Sequence, residues 1–147
     1  MKHSPLHTDF HLALVSFLLQ TKQNILSVAA EFDITSGQAF SLLLMDPTKP
    51  RSMKSYCKMY SCDAGNLTGI IDGLEEKRLV TREQDSTDRR IKVLRMLPAG
   101  VKLQKQLLAR LAQESSSLVE VLDGDEQANF ARYIIKIHRA IHLSALE

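Results

Sequence analysis

Three groups of side chains in this sequence carry chemistry that a bare scaffold does not need. Ser52, Lys54 and Ser55 set two hydroxyls and an ammonium close together, a set suited to holding an anion. Asn66 offers a carboxamide, donor and acceptor side by side, while Ala64 and Gly65 are small enough to let another molecule approach. Arg89 and Arg90 follow Asp88 in the run DSTDRR, two permanently charged guanidinium groups beside a carboxylate. None of this makes or breaks bonds. No histidine, serine or acid falls in the spacing of a triad, a dyad, a phosphate loop or a metal-ligand set, so the chain reads as a non-enzyme.

The remaining reactive residues read as structural. Cys57 and Cys62 match neither a CxxC redox pair nor a zinc-ligand spacing, and packing as small hydrophobes is their expected role. His7 with His11, and His138 with His142, are each one helical turn apart. Only Asp9 lies near enough in sequence to complete a ligand set, so no metal and no resident cofactor is expected.

The 147 residues, 44% hydrophobic and 24% charged, suit one globular domain spanning 1–147 with its own core. No signal peptide is read at the N-terminus. The longest uncharged stretch, 10–21, is too short to cross a bilayer, and reduced cysteines in a cytoplasmic protein are expected. Net charge is only +2, but it is uneven: 49–95 holds eleven Lys or Arg against seven Asp or Glu, a net +4, and the rest of the chain is at −2. The anion-binding groups therefore sit in a basic centre.

Positioning them falls to elements legible in the periodicity. Phe10, Ala13, Leu14, Phe17, Leu18, Ile25 and Val28 form an apolar helical stripe over 8–30. Leu12, Val15, Leu19 and Leu26 widen it beyond one side, which points to oligomerisation. Thr35 and Ser36 cap a short helix that runs to Leu44 or Met45, after which Pro47 and Pro50 break the chain. Helices over 52–60 and 64–77, with Asp63 as the N-cap of the second, make a helix-turn-helix. Leu67, Ile70, Ile71 and Leu74 mark the packed side of the second, facing Met53, Tyr56 and Cys57. Alternation in Leu79–Arg82 and Ile91–Leu97 around the polar turn 85–88 predicts a β-hairpin. Pro98 and Gly100 open a long helix that Asp123 and Gly124 interrupt. A last helix over 125–143 places Phe130, Ile134, Ile137 and Ile141 on one face.

The stretch from Ser52 to Gly100 resembles the DNA-binding core of MarR-type regulators: DAGNLT opening the second helix, its Leu74-Glu75, LVTRE, the DSTDRR tip and the PAG that starts the long helix. It departs from the family at Arg78, where Gly is common and a left-handed cap is expected, and at Leu97, where Thr is usual. The resemblance implies a mainly α fold with a small β-hairpin wing. A winged helix-turn-helix at 35–98 would be flanked by dimerisation helices at 1–34 and 99–147. It further implies a homodimer on a pseudo-palindromic operator of double-stranded DNA, acting as a repressor and released by a small aromatic anion.

On that reading the N-terminal residues of the second helix, Asp63, Ala64, Gly65, Asn66, Thr68 and Gly69, enter the major groove, with Asn66 hydrogen-bonding adenine and Thr68 meeting a phosphate or a thymine methyl. Ser52, Lys54 and Ser55 hold phosphates. Arg89 and Arg90 at the hairpin tip suit a narrow minor groove. The resemblance makes Arg90 the inserting residue and Asp88 its brace. Arg82 and Lys92 on the stems are expected either at phosphates or as ordinary solvated surface charges. The competing reading is a winged helix that docks proteins and binds no specific DNA, for which a flat dependence of DNA affinity on salt would be the sign. An effector pocket is expected among the first, second and fifth helices.

Overall fold

The computed structural model describes residues 5–60 and 62–144. The elements in order are α1 (Pro5–Glu31), α2 (Ser36–Leu44), β1 (Arg51–Ser52), α3 (Met53–Tyr60), α4 (Ala64–Glu76), β2 (Val80–Gln84), β3 (Lys92–Met96), α5 (Pro98–Val119) and α6 (Gly124–Ser144). Every helix expected from periodicity is present, and the sheet is larger than expected. Arg51 and Ser52 pair with Leu94 and Val93, which gives a three-stranded antiparallel sheet in the order β1-β3-β2. Two residues carry no readable alternation, so this strand left no mark on the sequence. Ser52 therefore ends a strand and does not begin α3.

Local chemistry starts and stops the helices. Thr35 and Gln38 form a capping box, in which the Gln38 amide donates to Thr35 Oγ1 at 3.2 Å and the Thr35 amide to Gln38 Oε1 at 3.0 Å. Asp63 caps α4 by accepting the Asn66 amide at 2.7 Å, an interaction typically worth about 1 kcal/mol. Past the end of α4, Arg78 has φ 56°, the left-handed conformation that a glycine would adopt without strain. At the exit of α1, Asp33 has φ 51°, and Lys77 reaches over to donate to its carbonyl at 2.7 Å.

The core gathers Val28 and Ala29 of α1, Leu42 of α2, Tyr56 of α3, Leu67, Ile71 and Leu74 of α4, Val80 of β2, Leu94 of β3 and Leu107 of α5. Buried Gln104 of α5 donates to the carbonyls of Leu42 and Met45 at 2.7 and 2.8 Å, which satisfies the open end of α2. Pro98 stands in the first turn of α5, and a Cβ at Gly100 would lie 2.1 Å from the Leu79 carbonyl oxygen. The Pro-Ala-Gly sequence is thus the close crossing of α5 over the start of β2.

One part of the chain finds little to pack on. Among the described side chains of α6 only Phe130 is partly withdrawn from solvent, edge-on to Phe17 of α1 at 5.7 Å between ring centroids. Tyr133, Ile134, Ile135, Ile137 and Ile141 are exposed, as are Phe10, Leu12, Val15, Leu18 and Leu19 on α1. The span Asp9–Glu31 is long and apolar enough, at mean hydropathy 1.2, to cross a membrane. Its C-terminal half nevertheless buries Asn24, Ile25, Val28 and Ala29 within the fold.

Candidate nucleic-acid interface

α4 is amphipathic by construction. Leu67, Ile71 and Leu74 are buried, Ile70 is half-buried, and the opposite surface, with Ala64, Gly65, Asn66, Thr68 and Gly69, is exposed. Its three interior glycines weaken the helix relative to alanine, and the structure separates their reasons. A Cβ at Gly73 would meet Gln38 Nε2 at 2.4 Å, so Gly73 lets α2 and α4 approach. A Cβ at Gly65 would lie 3.2 Å from the Asp63 carboxylate, and one at Gly69 would meet nothing within 4 Å. No part of the described chain explains Gly69. The Thr68 hydroxyl donates to the Ala64 carbonyl at 2.6 Å. Its proton is thereby used inside the helix, and its methyl is the better outward contact of the two expected for it.

At the start of α3, Ser52 Oγ accepts the Ser55 amide at 3.2 Å and lies 3.0 Å from Ser55 Oγ. These hydroxyls cap the helix and bind each other, while Lys54 points to solvent. One hydroxyl spends its proton on the other, so this end of α3 presents the three residues as a mutually bonded serine cap beside one exposed cation, Lys54.

The wing is a hairpin in regular register, Val80 opposite Met96 through Gln84 opposite Lys92. Asp85 organises its tip by accepting the amides of Thr87 and Asp88 at 2.8 and 3.0 Å, and the Thr87 hydroxyl. These bonds, the Thr87 hydroxyl first, hold its carboxyl below the usual aspartate range. Asp88 clasps Arg90: the carboxylate takes the Arg90 amide, Nε and Nη2, each at 3.0 Å. The same contacts lower the Asp88 carboxyl and raise the Arg90 guanidinium. The Arg90 side chain is still 90% exposed. It is a cation fixed in direction and open to a partner. Arg89 and Lys92 are also exposed.

Arg82 does something other than expected. Its guanidinium pairs with Glu75 and, at 2.7 Å, with Asp72, both on α4, and its backbone amide donates to Glu75 Oε1 at 2.8 Å. With both carboxylates in place and only 22% of the side chain exposed, this arginine braces the wing against α4 and is not presented to a phosphate. Sequence separations of seven and ten residues across a helix end and a strand gave no local signal for it. Arg95 and Glu83 form a further pair across the strands at 2.6 Å.

Cys57 and Cys62 are both half-buried beside the core. Burial raises the Cys62 thiol, with Cys57 and Asp63 adding to the shift. Among the described residues no three His, Cys, Asp or Glu group as for a metal ion; the side chains of His7 and His142 lie outside those described. An apolar cavity of about 460 Å³ lies between α2, α3, α4 and α6, walled in part by Phe40, Met59, Cys62, Asn66, Ile70 and His138. Of the three helices expected to form a pocket, α2 alone lines this one. α1 and α5 meet α6 around a separate cavity of about 300 Å³ at Phe17, Thr21, Val119 and Phe130.

Comparison with known proteins agrees with this geometry. Residues 34–92 match the MarR family. The chain is 24% identical over 139 residues to an uncharacterized HTH-type transcriptional regulator of Bacillus cereus, covering 95% of this chain and 93% of the relative. It is 30% identical over 63 residues to the HTH-type transcriptional regulator MhqR of Bacillus subtilis, 43% of each protein. Among solved structures, wild-type MarR from E. coli in its apo form shares the fold at TM-score 0.73 and 22% identity, over 93% of this chain and 98% of that one. A mutant of MepR from S. aureus bound to an oligodeoxyribonucleotide does so at TM-score 0.60 and 21% identity, over 95% and 98%.

Proposed function

We propose that this chain is a MarR-family winged helix-turn-helix transcriptional regulator, working as a homodimeric repressor on a pseudo-palindromic operator and released by a small aromatic anion. The observation that carries the DNA-reading surface is the pairing of an exposed α4 N-terminus with the Asp88-clasped, exposed Arg90. A helix N-terminus bearing Asn66 among small residues suits base edges in the major groove, and a guanidinium held on a wing suits a narrow minor groove. Gly69 supports this reading, since nothing within the described chain requires a glycine there and a closely approaching duplex would. Asn66, Thr68, Lys54, Arg89, Arg90 and Lys92 are the proposed contacts, with Asp63 and Ser52 as caps that hold them in place.

The homodimer is supported by the apolar surfaces of α1 and α6, which a single chain leaves in water. Two copies would present two α4 helices to half-sites about 34 Å apart. For the effector, the cavity that Asn66 shares with Phe40 and His138 offers an aromatic wall and an imidazole to an anion. Binding there would compete with the placement of the reading helix.

Selecting duplexes from a random pool and titrating the selected sequence at several salt concentrations tests the reading. A steep negative slope of log affinity against log salt, with a marked loss for Asn66→Ala combined with Arg90→Ala, is the expected result. An unchanged affinity in that double variant overturns it.

A further inference from the structure

Cys57 and Cys62 were unremarkable by spacing, yet the end of α3 folds so that the Cys62 amide donates to the Cys57 carbonyl at 3.3 Å. With standard backbone dimensions, a bond of that length leaves the two Cα atoms no more than about 7 Å apart. Disulfides span about 4.4–6.8 Å between Cα atoms. The two side chains also share surroundings: both pack half-buried against the one core, and Cys57 helps to hold the Cys62 thiol up. Neither is sealed in: both are half-buried, and Cys62 forms part of the wall of the α2–α3–α4–α6 cavity, which a small solute can enter.

We infer that Cys57 and Cys62 are a dithiol that closes to an intrachain disulfide on exposure to peroxide, tying the last turn of α3 to the residue before the Asp63 cap of α4. In the first step one thiolate attacks a peroxide oxygen; an S–O bond forms, the O–O bond breaks, and the departing hydroxide leaves as water after taking a proton. In the second, the other sulfur attacks the sulfenic sulfur; an S–S bond forms, the S–O bond breaks, and the oxygen leaves as water with the second thiol's proton. Two thiols and one peroxide become one disulfide and two waters, the sulfurs oxidised and the peroxide reduced. Burial, Cys57 and Asp63 keep Cys62 protonated near neutrality, and His138 faces the same cavity from α6, so the pair answers to sustained peroxide and not to traces.

The inference stands on the two thiols alone and is independent of the DNA reading. The dilute full-length protein is treated with hydrogen peroxide, denatured, alkylated with iodoacetamide and weighed intact. The expected product has lost two hydrogens, takes no alkyl group, runs as a single chain without reductant and regains both alkylation sites after dithiothreitol. Cys57→Ser and Cys62→Ser should each lack that product and carry a sulfenic or sulfinic acid on the remaining thiol. Two alkyl groups on peroxide-treated wild type, sulfinic acid at both positions, or disulfide-linked pairs of chains would each overturn the proposal.

Discussion

Arg82 of β2 and Glu75 of α4 are joined twice, by the arginine's backbone amide at 2.8 Å and by its guanidinium, which also takes in Asp72. The strand that carries the wing and the helix that carries Asn66 are thereby fixed to each other by one side chain and one main-chain bond. The two surfaces proposed to meet a duplex are held as one body.

Removing that side chain should therefore weaken DNA binding indirectly. Arg82→Ala is expected to cost about 1.5–3 kcal/mol of stability, the range for hydrogen bonds to charged groups. It should lower DNA affinity while leaving the salt slope unchanged, because no phosphate contact is lost. Arg82→Lys should not restore the affinity, since an ammonium cannot span two carboxylates as a guanidinium does. A slope that falls by about one in Arg82→Ala would mean that this residue meets a phosphate after all.

The wing tip should respond to acid and not to mild alkali. The Asp88 and Asp85 carboxyls are both lowered, by Arg90 and by Thr87 respectively. A lowered carboxyl contributes order that is fully present above its unfolded pKa, about 3.9, and is lost as pH falls through the folded value. The Arg90 Nε proton followed by NMR should keep one shift from neutrality down to the ordinary aspartate pKa, about 3.9, and move only below it as Asp88 protonates. Asp88→Asn should reproduce that acid shift at neutral pH and loosen DNA binding without altering the thermal midpoint. A shift that tracks a pKa near 6 would assign the change to another group.

Two glycines should answer oppositely to alanine. Gly100→Ala drives a Cβ against the Leu79 carbonyl, a backbone atom that cannot swing away, and should cost about 3 kcal/mol or more in a urea titration. Gly69→Ala meets only open space and should stabilise the fold by about 1 kcal/mol while lowering DNA affinity. Undiminished affinity in Gly69→Ala would remove this face of α4 from the proposed contact.

The proposed homodimer rests on α1 and α6. Ile137→Glu on α6 and Leu18→Glu on α1 place a carboxylate on surfaces that are already exposed in one chain, so neither should harm the monomer fold. Each should convert a dimer to monomer in sedimentation. A wild-type chain that sediments as a monomer at micromolar concentration would argue against the homodimer.

What the sequence determined by itself is everything that a helix or hairpin settles within its own few residues. Thr35 and Asp63 announced their caps, Pro98 its helix start, and Leu67, Ile71 and Leu74 their buried stripe, because capping bonds reach three residues and helical faces repeat every three or four. The left-handed turn at Arg78 was expected only from the resemblance, in which Gly is common at that position. The wing's polar tip and its arginines were legible, and the resemblance supplied Asp88 as the brace of Arg90.

Tertiary structure alone decided the partners that lie far along the chain or across a turn. Arg82 could be read only as a surface cation until folding brought Asp72 and Glu75 to it, since an ion pair depends on distance in space and leaves no period in sequence. The pairing of Arg51 and Ser52 with β3, the fit of Gly73 against Gln38 and the bond from the Cys62 amide to the Cys57 carbonyl are of the same kind. So is the exposure of α6: its apolar stripe was plain in the sequence, but the finding that this chain leaves it uncovered required every other surface to be in place.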